Sequence, residues 1–387
     1  MKHIITLILV ITLTSCNYAQ PTKKPDNPDN VQVYGTENIL DNYQYVDSYK
    51  EGLATVTKNK KKGFIDKMGK EVIPCKYDVA YDFKNGYSVV ILHESPGRNE
   101  KYGLINKAGN EITPIKYDFI SNFQHGRALV KLNDKWGFVD ESGKEIIPVI
   151  YDNARGFEDD LTTVKVNDQW FIIDKMNNKK VTLKNVESAS SFYEGLASVK
   201  LSGKPGDGYM DSQGRIVIEP KYDMAFYFNE GLADVEIDDK HGIINTKGEE
   251  VTPLQYDNYP SFREGFAAVG RNGKYGFINK TGEEVIPVKY NNVYSFWDGV
   301  AGVCVGSKWG CIDTMGKEIV PPIYDTVLSG EGVLTVLLNG EWQFLDHTGK
   351  PLFPEKFKNA DSFSDGAALV EQNGSWFFID KTGKKLF

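Results

Sequence analysis

Four cysteines and five histidines among 387 residues leave few side chains for nucleophilic or metal-assisted chemistry. No His-Glu-x-x-His, Gly-x-Ser-x-Gly, P-loop or Cys-x-x-Cys spacing occurs, so a zinc site or a triad would have to be gathered from scattered residues. Long hydrophobic runs are also missing. The apolar stretch 4–13, broken only by Thr6 and Thr12, would make a helix of about 15 Å, half a bilayer core, so it does not span a membrane. Excess positive charge is absent too. Lys and Arg number 45 against 53 Asp and Glu, a net charge of −8, and an acidic surface repels phosphate backbones, so no nucleic-acid partner is expected. What the chain does have is apolar material: 41% hydrophobic and 12% aromatic residues are too many for a disordered protein.

The N-terminus reads as an address. Lys2 precedes the short apolar run, as in a secretory signal, and the run ends in Leu13-Thr14-Ser15-Cys16. That ending resembles the bacterial lipobox. The resemblance implies a signal peptide over residues 1–15, cleavage before Cys16, and lipidation of Cys16, whose acyl chains would anchor the protein to a membrane. Residues 16–40, with Pro21, Pro25 and Pro28 and little that is apolar, read as a flexible tether. The remaining thiols, Cys75, Cys304 and Cys311, are odd in number and are expected to be buried and free.

Residues 41–387 repeat. The segment Lys135-Trp136-Gly137-Phe138-Val139-Asp140 returns with its central glycine, or a substitute, at Gly63, Gly103, Gly137, Phe171, Gly208, Gly242, Gly276, Gly310, Gln343 and Phe377. Most of those steps are 34 residues, which marks a repeat architecture. The flanking runs are short, β-branched and aromatic, so the units are strands rather than helical pairs. Asn272-Gly273, Asn339-Gly340 and Asn373-Gly374 are strong hairpin turns. Asp-x-x-Gly (Asp66 to Gly69) suits a type I turn into a third strand that Pro148 and its equivalents end. Tyr-Asp and Phe-x-x-Gly then lead into the next hairpin.

Pleating makes each hairpin apolar on both faces. Trp136, Phe138 and Leu129 share a bulky face; Gly137, Val139, Val130 and Ala128 share a small one. The bulky face of one unit is expected on the small face of the next, with Gly137 as a notch for a neighbour's aromatic ring. The fold class is therefore all-β: about ten units of roughly 34 residues, each a hairpin or three strands, stacked face to face. Asn42-Tyr43-Gln44 matches the end of a unit and the C-terminus stops inside one, so the first residues could complete the last unit. A propeller-like ring and an open superhelical spiral are both open at this point.

The recurrent Lys-Trp-Gly-Phe-Val-Asp and Lys308-Trp309-Gly310-Cys311-Ile312-Asp313 look like the bacterial WG-repeat family. The resemblance spans about residues 40–387. It implies an exported or envelope repeat protein and supplies no catalytic residue or cofactor.

Candidate site residues come from the irregularities. His93, Arg98 and Glu100 lie in an insertion in the second hairpin. Lys204 and Asp207 lie in one in the fifth, near a stretch, 177–210, where the repeat is irregular. Trp297 falls outside the recurrent tryptophan slot and is expected to be exposed. Inserted loops of repeat arrays often carry recognition. The carboxylates Asp66, Asp140, Asp174, Asp211, Asp313, Asp346 and Asp380 read as turn caps, with calcium the minor alternative. No catalytic residue, metal or cofactor is expected. The expected function is a lipid-anchored, non-enzymatic scaffold for a protein partner. Glycan or peptidoglycan binding through exposed aromatics is one alternative, and an unrecognised hydrolase another.

Overall fold

The computed structural model describes residues 39–95 and 98–387. The signal segment, Cys16 and nearly all of the tether lie outside the described residues. After a single helical turn, Ile39–Asn42, the chain forms ten consecutive antiparallel sheets, one per repeat.

The third unit illustrates the rest. Arg127–Leu132 and Lys135–Asp140 pair as a hairpin in the register Lys135↔Leu132, Gly137↔Val130. Asn133 and Asp134 have φ of 51° and 60°, the two left-handed residues that a type I′ turn needs and that Asn and Asp tolerate. Glu145–Tyr151 is the next strand. Asp140 turns the chain between them: its Oδ1 accepts the amides of Ser142 and Lys144 at 2.9 and 3.1 Å. Asp66, Asp174, Asp211, Asp313, Asp346 and Asp380 do the same in their own units.

Two details differ from the sequence reading. Most units have four strands, not three: two residues after Tyr-Asp, such as Asn153–Ala154, pair with the hairpin that follows. Nor is the glycine notch filled by a neighbour's ring. A Cβ on Gly137 would lie 2.6 Å from the Ile147 carbonyl oxygen and 2.8 Å from Pro148, so the missing side chain admits the unit's own last strand. That strand bulges there, with Phe138↔Ile147 and Trp136↔Tyr151 as successive partners, and the proline ends no strand.

Face packing follows the pleat. Phe138 is buried against Val164, Ile173 and Phe157 of the next unit, with Trp136 and Leu129 at the margin. Trp170 and Trp376 are buried; Trp136, Trp309 and Trp342 are half-buried. Cys304 and Cys311 are buried free thiols; Cys75 is free but only half-buried.

The array closes. Leu369, Trp376 and Phe378 of the last unit cover Ala54, Val56 and Ile65 of the first, as at every other seam. Ser364 Oγ donates to the Tyr49 carbonyl at 2.6 Å. Both termini meet the last sheet, where Lys385 bridges Ile379. Leu386 N–H donates to the Phe378 carbonyl at 2.9 Å, and Tyr43 packs beside Trp376 in the place of the repeat tyrosine. The molecule is a ten-bladed β-propeller, numbered here blade 1 to blade 10 along the chain.

Candidate binding surface

An antiparallel meander puts its turns on two edges. The Asn-Gly-type turns lie on one; the Glu-Gly and Asp-x-x-Gly turns lie on the other. Each edge carries its own series of contacts between successive repeats.

On the first edge, the aspartate of Tyr-Asp bridges two hairpins. Asp118 accepts the Lys101 ammonium at 2.8 Å and the Asn133 amide of the next turn at 2.7 Å. Asp78, Asp152, Asp257 and Asp325 repeat the arrangement. The lysine partner comes first among the influences that hold Asp118, Asp152, Asp257 and Asp325 below the usual carboxylate range.

On the second edge, at most seams the acidic residue before the turn glycine accepts the turn amide of the next blade. Glu51 takes Asn85 and Gly86 at 2.6 and 2.9 Å. Glu194 takes Gly231 at 2.8 Å, Glu264 takes Asp298 at 2.9 Å, and Glu331 takes Gly366 at 2.9 Å. Asp365 takes Gly52 at 2.6 Å, so the closing seam uses the clip that most of the others share. Lysines of the neighbouring turns reinforce it, as in Lys107–Glu51 at 3.1 Å and Lys381–Glu331 at 3.3 Å.

The clip is missing between blades 3 and 4, whereas Asp159 of blade 4 makes it onward to blade 5, accepting the Gly195 amide at 3.0 Å. His125 stands in the acidic slot of blade 3 and turns its Nδ1 to the Phe157 carbonyl at 3.2 Å. Blade 4 has Asp160 where other turns have glycine, and neither Asp159 nor Asp160 takes the left-handed conformation of Glu51-Gly52 or Glu194-Gly195. A side chain at that position disfavours it. The turn splays, and a cavity of about 400 Å³ opens between His125, Asp159, Asp160, Phe192 and Ser212. Asp160 is held by Lys175 at 2.7 Å. Glu158 beside it is raised, chiefly by burial.

The residues singled out in the sequence are not brought together. His93 and Glu100 face each other on the extended hairpin of blade 2, whose strands are Tyr87–Ser95 and Arg98–Asn106. His93 lies 3.8 Å from Asp78 and 3.7 Å from Glu100. Arg98 pairs with Ser95 through the backbone; its side chain is outside what is described. Lys204 reaches Glu219 at 3.6 Å in blade 5. Asp207 opens a strand there, its carboxyl raised chiefly by burial. Trp297 is in blade 8, on the opposite edge, 41% exposed, with the Arg263 guanidinium 3.3 Å from its ring centre. His93, His125, His241 and His347 lie in four different blades. Among the described residues no group of three or more His, Cys, Asp or Glu is placed to hold a metal.

The sequence reading missed a polar cluster in blades 5 to 7. Asp234 and His241 meet at 2.9 Å, beneath Tyr259 and Phe226, whose rings are 4.5 Å apart. Tyr227 stacks on Tyr193 at 4.6 Å. His241 was visible as a departure from the aromatic slot. Asp234 had a signal too: at its position the other blades carry Thr55, Val89, Leu129, Thr163, Ser198, Ala268, Gly302, Thr335 and Leu369.

The fold and its clipped turns define a ten-bladed repeat propeller. Ten successive segments, from 37–61 to 344–376, match the WG containing repeat. The chain belongs to that family. No curated protein matches it. Among solved structures it is similar to a eukaryotic initiation factor, at 12% identity over 85% of this chain and 93% of that one, TM-score 0.46. It is similar to PorZ, a surface component of the type-IX secretion system of Porphyromonas gingivalis, at 9% identity over 89% and 58%, TM-score 0.32. Hsv2 of Kluyveromyces lactis matches at 10% identity over 55% and 86%, TM-score 0.28. At these scores the likenesses carry nothing about function.

Proposed function

We propose that this protein is a lipoprotein of the bacterial cell envelope, anchored through Cys16, whose propeller is a non-enzymatic scaffold for a protein partner. The partner docks on the edge of blades 3 to 5. The observation that carries the reading is the cavity at Asp159 and Asp160, which opens where the blade 4 turn lacks its glycine and His125 of blade 3 makes no clip. Its carboxylates and the −8 net charge favour a partner that presents basic side chains. The wide separation of the four histidines supports a non-enzymatic role.

Two experiments test it. Cys16→Ser should move the protein from the membrane to the soluble fraction and abolish palmitate labelling; a variant that stays in the membrane overturns the anchor. Asp160→Gly rebuilds the standard turn and should reduce partner recovery after surface cross-linking, with the melting temperature held or raised. Unchanged recovery overturns the docking site. Glycan binding is the second reading, favoured by exposed Trp297: muropeptide quenching of tryptophan fluorescence that vanishes in Trp297→Ala would support it.

A further inference from the structure

Asp234 is buried in the hairpin of blade 6, its side chain only 1% exposed. One oxygen, Oδ2, meets His241 Nδ1 at 2.9 Å. His241 Nε2 lies 3.6 Å from Glu236. The other oxygen, Oδ1, is buried and has no hydrogen-bond partner. Leaving a buried carboxylate oxygen unpaired is costly, and such a group calls for a donor. Asp234 lines a void of about 20 Å³ together with Tyr227, Asn229, Tyr259 and Ser261. That space holds a single water-sized group. Asn229 and Tyr259 are exposed, so the void lies just under the surface.

The chemistry of the walls selects what enters. An acceptor-lined floor requires a hydrogen-bond donor. Asp234 and Glu236 favour positive charge, and tyrosine rings attract cations. A primary ammonium is a water-sized head with three donors. A guanidinium is planar and too large, and a carboxylate or phosphate is repelled. We propose that the Asp234 void is a subsite for a primary ammonium group, reached past Tyr259 and Asn229. Sources are the side chain of a lysine on a bound polypeptide or a free small amine. The site is remote in sequence from the blade 3 to 5 cavity and does not depend on that reading.

Binding is linked to a proton. The groups facing Asp234 are His241 and Glu236 in its own sheet, Tyr209 from blade 5 and Tyr259 from blade 7; Asp239 faces His241. Burial, and then Glu236, push Asp234 up to about 9. Burial pulls His241 below its ordinary value. The pair thus holds one proton at neutral pH. An ammonium entering beside Oδ1 displaces that proton to solvent, so affinity rises with pH until the pair is deprotonated.

The test uses the full chain and titrates methylammonium chloride, followed by calorimetry and tyrosine fluorescence. The expected result is saturable binding that releases a proton and strengthens about tenfold or more from about pH 6 to about pH 9. Tetramethylammonium and guanidinium should fail to compete. Asp234→Asn should abolish binding. If that variant does not fold, Asp234→Ser, which copies Ser198 of blade 5, serves instead. Nα-acetyl-lysine amide binding more tightly than methylammonium identifies a polypeptide lysine; the reverse identifies a free amine. Undiminished binding in the variant, equal binding of all three cations, or no saturable binding at about pH 9 would each show that the void holds water only and overturn the proposal.

Discussion

A Cβ at position 137 would meet the backbone of residues 147 and 148 at under 3 Å, and a strand cannot retreat as a side chain can. Gly137→Ala is therefore expected to destabilise the protein by about 1–3 kcal/mol, read by urea unfolding. The same substitution at Gly203, where nothing lies within 4 Å, should cost less and act mainly through its positive φ of 76°. Asp361 makes a prediction of opposite sign. Burial pushes its carboxyl up to about 6; the Ser48 hydroxyl pulls it part of the way back, and Asp47 adds a smaller push. The folded state then binds more protons than the unfolded chain between about pH 4 and about pH 6, so stability falls across that window. Asp361→Asn should remove that loss, melting above the parent at pH 7 and level with it or below it near pH 4 by differential scanning calorimetry. At this scale the turn aspartates were legible, because a carboxylate needs only its own neighbours to cap a turn. Asp234 departed visibly from its counterparts, but its role was not legible, because its partner is across the hairpin and its void is shared with the next blade.

Blades depend on acceptors that cross between repeats. Carboxylates such as Glu51 and Glu331, which take turn amides from the next blade, lie below the ordinary range; amide and lysine hydrogen bonds overcome the opposing effect of burial. A depressed carboxylate stabilises fully above its unfolded value, and the contribution is lost as pH falls through the folded one. Melting temperature should thus decline steeply below about pH 4. Glu331→Gln should flatten part of that decline and lower the plateau, as measured by circular dichroism melts; a plateau equal to the parent's would mean that the clip adds nothing. The strand count was misread at this scale because the short fourth strand has no periodicity of its own. Two residues after Tyr-Asp carry too little pattern to be seen, and they pair only because the next hairpin is already in place.

For the whole molecule, closure is one more seam. The contact between blades 10 and 1 uses the bulky-on-small packing of the other seams and the turn clip that most of them share. Deleting residues 359–387 should leave Ala54, Val56 and Ile65 uncovered, and the shortened chain should self-associate by light scattering; a monodisperse monomer with native melting would contradict the importance of closure. The repeat, the hairpins and the two apolar faces could be read from the chain because they arise from neighbours and from a period of two along a strand. Ring against spiral could not: the angle between successive sheets is set by how Phe138 and its equivalents seat on the next blade, a small rotation that accumulates over ten seams. The placement of the cavity and of Asp234 is of the same kind. Each depends on side chains from neighbouring blades meeting in space, and no single segment encodes that meeting.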